Sequence, residues 1–193
     1  MTSIYFVRHA QPDSSWNDDR SRPLTEQGLE DSKLVTKVLK DVIIDAFVSS
    51  PYRRSYDTIA HCAMSRNMQI KTDEHFVERH VGKNGFEYAR RRFDDFEFAE
   101  PGGESLGSVQ RRNIEGLARV LDEYADQTIV LGTHGSALST ILKYYDPTFS
   151  WDDFTRMFPF LPYVIRLDFN HQEYIGKMEI LAFERGYINN QRL

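Results

Sequence analysis

Hydrophobic and polar positions along this chain alternate between two rhythms. Residues 4–7, IYFV, form a short continuous apolar run, the pattern of a strand buried on both faces, which stops at Arg8 and His9 and breaks at Pro12. After a polar loop, LTEQGLEDSKLVTKVLKD places Leu29, Leu34, Val35, Val38, Leu39 and Val42 at helical spacing, with Thr25 predicted as the N-cap. IIDAFVSS predicts a second buried strand, and SPYRRSYDTIAHCAMSRN a second helix with Ser50 at its N-cap and Pro51 at N1. QIKTDEHF reads as a further strand. The stretch from about 80 to 103 is irregular and aromatic-rich and closes on the turn signal EPGGES. A helix follows with Leu106, Val109, Ile114, Leu117, Leu121 and Tyr124 in step, then the strand TIVLGTH, the helix GSALSTILKYY, and two late strands, YVIRLDF and KMEILAF, expected to pair as a hairpin. The alternation, free of repeats and linkers, predicts an α/β fold: a three-layer α/β/α sandwich with a mostly parallel central sheet, in a single domain over 1–193.

Open α/β sheets bind ligands outside the carboxyl ends of their strands. Three apolar strands here end in polar chemistry: FVRHA, FVSSPYRR and VLGTHG. The fold logic therefore gathers Arg8, His9, Arg53 or Arg54, and His134 at one rim.

Composition narrows the ligand. A net charge of -5 argues against nucleic acid or an anionic membrane as partner, so any anion must be held by a local cluster that defies the global charge. No apolar stretch is long enough to cross a bilayer, and the N-terminus lacks a signal-type apolar run. The single cysteine, Cys62, excludes an internal disulfide and fits a cytoplasmic setting.

Competing motifs fare worse, and one of them, a serine-hydrolase elbow, stays only as a minority reading. There is no Gly-Lys-Ser/Thr phosphate loop, and a cysteine-phosphatase loop would need arginine where Met68 stands. His61 and Cys62 are adjacent on a helix and point apart, while His75 and His80 lack a third nearby partner, so no metal site is expected. GESLG, residues 103–107, matches the G-x-S-x-G elbow of serine hydrolases, but DDFEFAEPG before it does not feed a strand, and Ser105 reads better as a helix N-cap.

The rim cluster reads instead as phosphate chemistry. Arginine forks pair bidentately with phosphoryl oxygens, and two arginines beside a histidine disfavour its protonation, leaving a neutral nucleophile. His9 could attack phosphorus to form a phosphohistidine that water hydrolyses. The leaving oxygen needs a proton, for which Glu78 and Glu104 are the candidates.

In order along the chain, FVRHAQPDSSWN, RPLTEQG, SSPYRRSYDT, VERHVG, PGGES and GTHGS resemble the motifs of the histidine phosphatase superfamily, in its phosphoglycerate-mutase-like branch. The resemblance implies the phosphoglycerate-mutase-like fold and a metal-independent phosphatase without cofactor. It assigns a phosphate-binding role to Arg8, nucleophilic attack to His9, and a second phosphate arginine to Arg54 rather than Arg53. It makes Glu78 the general acid, His134 with Gly135 the second histidine turn, and Asn17 a residue of the phosphate pocket. Ala10 and Pro12 replace a usual glycine and a common threonine or serine, and a Trp-Glu-Gly is absent after the acid, where NGFEYARRRFDDFEF stands.

That segment, within about 80–103, is the expected substrate lid. Its Arg90, Arg91 and Arg92 spread around a helix, so at most one or two would face a pocket, and a solvated face is the expectation. The compact length favours phosphatase over mutase; a non-catalytic phospho-ligand scaffold is the reading from a different class. The expected partner is a small phosphorylated substrate. The apolar run WDDFTRMFPFLPYVI reads either as core or as a homodimer surface.

Overall fold

The computed structural model describes residues 1–83 and 87–187. Residues 84–86 of the expected lid lie outside the described residues. The elements are β1 Thr2–Arg8, α1 Glu26–Val38, β2 Ala46–Ser49, α2 Arg53–Met64, β3 Ile70–Thr72, α3 Ala89–Asp94, α4 Leu106–Glu123, β4 Thr128–Thr133, α5 Gly135–Tyr145, α6 Trp151–Met157, β5 Phe160–Asn170 and β6 Glu173–Glu184, with one 3-10 turn at Glu74–Phe76.

The strands form one sheet in the order β3-β2-β4-β1-β5-β6. β3, β2, β4 and β1 run parallel, and β5 and β6 join antiparallel as the expected hairpin. The α/β sandwich expected from the alternation is the fold observed. Successive side chains of a strand point to opposite faces, and here both faces are covered. Ile4 and Phe6 of β1, with Ile129 and Leu131 of β4, pack under α4, α5 and α6. Tyr5, Val7 and Val130 pack on the other face against Val35 of α1 and Ile59, Cys62 and Ala63 of α2. That two-sided burial is why these strands read as unbroken apolar runs, each fully buried large side chain contributing about 1.5–3 kcal/mol.

Thr25 and Ser105 cap α1 and α4 as expected, accepting from the Gly28 and Ser108 N–H. Three local expectations are corrected. Ser50 is not the N-cap of α2, which starts at Arg53 behind Tyr52. Leu29 is exposed, because the inward face of α1 at that height carries Asp31 and Ser32, and Asp31 is paired with Arg185. QIKTDEHF yields only a three-residue strand before the 3-10 turn. The run WDDFTRMFPFLPYVI is core, with Phe154, Met157, Leu161, Tyr163, Val164 and Ile165 buried. Among the described residues, no helix is long and apolar enough to cross a membrane.

Candidate active site

Strand register puts the three polar endings side by side. Arg8 pairs with Thr133 across β1 and β4, and Ser49 pairs with Gly132 across β2 and β4. The next residue of each strand is therefore His9, His134 and Ser50. The His9 N–H donates to the Thr133 carbonyl at 3.2 Å, and the Ser50 N–H to the Gly132 carbonyl at 2.9 Å, which carries the ladder one residue past the strands. The two imidazoles lie edge to face with centroids 5.4 Å apart, and Tyr52 stands edge-on to His134 at 5.2 Å.

Both histidines are buried. His9 Nδ1 is 2.8 Å from the Ala10 carbonyl, which can only accept, so Nδ1 carries the proton and Nε2 keeps its lone pair. Burial, then the Arg54 and Arg8 guanidinium charges, hold the His9 imidazole well below its ordinary value of 6.5. Burial, then Arg54 and His9, do the same to His134. The Ser50 hydroxyl lies 2.8 Å from His134 Nε2 and accepts from the Tyr52 N–H at 3.2 Å. A hydroxyl that accepts there is free to donate to the imidazole, which leaves the proton of neutral His134 on Nδ1. That nitrogen is buried without a hydrogen-bond partner among the described residues.

Arg8 and Arg54 are both buried and both anchored through part of their forks. Arg8 donates to the Met157 carbonyl at 2.5 Å and to the Tyr187 hydroxyl at 3.0 Å, and its Nε has no partner among the described residues. A Cβ at Gly135 would come within 3.2 Å of Arg8 Nε, so the glycine lets α5 begin directly against the guanidinium. Arg54 donates to the Asp19 carbonyl at 2.6 Å, and the Asp19 carboxylate lies 3.2 Å from Arg54 and 2.7 Å from Arg22.

Glu78 reaches the start of α5, an 11-residue helix whose N-cap residue, His134, makes no side-chain cap. Its carboxylate accepts from the Ser136 and Ala137 N–H groups, both at 3.1 Å, and from the Arg79 N–H at 2.8 Å. It satisfies donors that a helix terminus leaves unpaired and sits where the helix dipole favours negative charge. Arg112 of α4 ties down the chain leading to it, donating to the carbonyls of His75, Val77 and Glu78. Glu104, the other candidate acid, is held by Arg112 at 3.0 Å and by Ser108, and it is outside the cavity lining.

A cavity of about 930 Å³, counting its open mouth, is lined by Arg8, His9, Arg54, Glu78 and Gly135, and also by Asp19, Arg22, Arg79, Arg92 and Tyr187, with Phe93, Leu106, Phe154 and Phe158 among its apolar walls. Five arginines face two carboxylates there, so the local field is positive despite the acidic chain. The wall on the expected lid side is a buried triad. Glu100 accepts from Arg79 at 2.8 Å, Arg92 at 2.9 Å and the Gly82 N–H at 2.9 Å. Burial works to raise the Glu100 carboxyl, but the Gly82 and Arg79 hydrogen bonds outweigh it and bring it to about 2. Of the three consecutive arginines only Arg92 turns inward. Arg90 pairs with Asp94 at 3.2 Å in solvent, and exposed Arg91 lies 3.8 Å over the Phe98 ring.

Asn17 is exposed and absent from the lining, and Asp19 and Arg22 of the same loop are there instead; His134 is also not among the lining residues, its buried ring lying directly behind them against His9. Ala10 is fully buried with an unstrained backbone, its N–H donated to Thr58 Oγ1 at 2.9 Å. Among the described residues, no group of three or more His, Cys, Asp or Glu is placed to hold a metal ion.

The model of the histidine phosphatase superfamily (branch 1) matches residues 4–175. The chain belongs to that superfamily. Phosphoserine phosphatase 1 of Hydrogenobacter thermophilus is 30% identical to this histidine phosphatase over 152 residues, 69% of this chain and 71% of that protein. Longer mycobacterial relatives, 31% identical, are matched over only 30% of their length. Among solved structures, Bacillus stearothermophilus YhfR superposes with a TM-score of 0.76 at 23% identity, over 91% of this chain and 95% of that one. A phosphoserine phosphatase mutant from Entamoeba histolytica in complex with phosphoserine does so at 0.77 and 18%, over 94% and 98%. These two likenesses speak to the fold.

Proposed function

We infer that this histidine phosphatase hydrolyses small phosphomonoesters without a metal, through a phosphohistidine on His9. The observation that carries the reading is the His9 tautomer. With Nδ1–H donated to the Ala10 carbonyl and the ring kept neutral, Nε2 is a lone-pair nucleophile lining an arginine-rich cavity. Relatives named for phosphoserine support a small phosphorylated metabolite as substrate.

Arg8 and Arg54 grip the phosphoryl oxygens, and His134 donates from Nδ1 to a third without adding charge. Nε2 attacks in line: the N–P bond forms as the ester P–O bond breaks, and Glu78 delivers the proton that the leaving oxygen takes. Glu78, left as a carboxylate, then accepts a proton from the water that attacks phosphorus, releasing phosphate and restoring neutral His9. The three backbone N–H groups that hold Glu78 keep it positioned through both half-reactions. The test is hydrolysis of an aryl phosphate with chelator present, native chain against His9→Ala. Chelator-resistant turnover that the variant loses supports the reading; turnover that needs added metal, or survives in His9→Ala, overturns it.

A further inference from the structure

The last described residues return to the site across the whole molecule. After β6, the Arg185 and Gly186 N–H groups both donate to the Pro159 carbonyl, at 3.1 and 2.9 Å. Arg185 pairs with Asp31 of α1 at 2.7 Å, and Gln11, two residues past the nucleophile, donates to the Gly186 carbonyl at 2.8 Å. Gly186 has φ +70°, a left-handed turn that a side chain would strain, and it turns Tyr187 into the cavity. The Tyr187 ring lies 5.0 Å from Phe158, and its hydroxyl takes an Arg8 proton at 3.0 Å.

Arginine can only donate, so the Tyr187 oxygen is the acceptor in that bond and its own proton points elsewhere. Among the described residues nothing accepts it. From this we propose that residues 185–187 are a built part of the phosphate site, in which Tyr187 accepts from Arg8 and donates its phenolic proton to a phosphoryl oxygen. The proposal rests on the phosphatase reading above and adds a contact to it. In this arrangement one phosphoryl oxygen is met by a neutral donor that Arg8 itself orients. The Arg185–Asp31 pair, the Gln11 contact and the Gly186 turn fix the position of that donor.

The experiment is inorganic phosphate binding, measured by calorimetric titration near neutral pH, which requires no turnover. Tyr187→Phe keeps the ring against Phe158 and removes only the hydroxyl; it is expected to weaken phosphate by about tenfold, the loss of one hydrogen bond to a charged group. Gly186→Ala strains the turn without a clash, since a Cβ there meets nothing within 4 Å. It is expected to weaken phosphate in the same direction. Phosphate bound as tightly by Tyr187→Phe as by the native chain, or more tightly because Arg8 has been freed, overturns the proposal and makes Tyr187 an occupant that substrate displaces. Failure of the native chain to bind phosphate at all would overturn the phosphatase reading, and this inference with it.

Discussion

Glu78→Gln separates the acid from the scaffold. In the native chain one carboxylate oxygen accepts from two N–H groups, of Arg79 and Ala137, and the other from Ser136. Glutamine has one accepting oxygen, so its NH₂ must oppose at least one of these donors. Losing one charge-assisted bond costs about 1.5–3 kcal/mol. At about 2–4 °C per kcal/mol for a domain of this size, melting falls by about 3–12 °C and the fold survives. The effect on rate depends on the leaving group. An alkoxide cannot depart without a proton, so hydrolysis of an alkyl phosphate should fall by about 10²–10⁴-fold, the usual contribution of a general acid. A nitrophenolate departs unprotonated, so p-nitrophenyl phosphate should lose far less. The assay is kcat/KM on both substrates with the folded fraction fixed by circular dichroism. An equal loss on the two would refute the acid assignment and leave Glu78 as a cap of α5.

Three further outcomes follow from the same contacts. Because folding depresses both buried histidines, the unfolded chain takes up protons near 6.5 that the folded chain refuses. Their stabilising contribution is therefore complete above about 6.5 and falls as the pH drops below it, by about 1.4 kcal/mol per unit per histidine until the folded groups protonate; denaturant midpoints from pH 7 downward should show this, and an unchanged slope in a His9→Ala/His134→Ala chain would contradict it. Glu100→Gln leaves Arg79 and Arg92 buried side by side and should destabilise by about 3–5 kcal/mol, with near-native stability contradicting the account. Ala10→Gly, on a backbone without positive φ, should lower stability by about 0.4–1 kcal/mol and leave kcat unimproved; a gain in kcat would mean that the methyl group obstructs the phosphate.

The sheet was readable because its strands are buried on both faces, so IYFV and TIVLGTH carry no polar interruption until they reach the rim. Thr25 and Ser105 were readable because a cap acts within three residues of itself. Ser50 was not, because its hydroxyl is engaged by His134, 84 residues away, and the helix waits until Arg53 to begin. Leu29 was misplaced for a similar reason: helical periodicity could not show that Asp31 would be drawn inward by Arg185. Arg8, His9, Arg54, Glu78 and Gly135 were named from ordered motifs and line one cavity, with the His134 ring against His9. Asp19 and Tyr187 left only faint signals, a polar loop and the tripeptide Arg-Gly-Tyr after the last strand. Asn17 had a motif to recommend it, yet the loop turned Asp19 and Arg22 toward the cavity in its place.

The most direct measurement is capture of the intermediate. Native chain turning over an aryl phosphate is quenched into base, where a phosphoramidate survives, and phosphate is located by peptide mapping and phosphorus NMR. The account predicts phosphate on the peptide carrying His9, attached at Nε2 and absent from His9→Ala. Phosphate on another residue, attachment at Nδ1, or steady turnover with no phosphohistidine trapped during the pre-steady-state burst would contradict it.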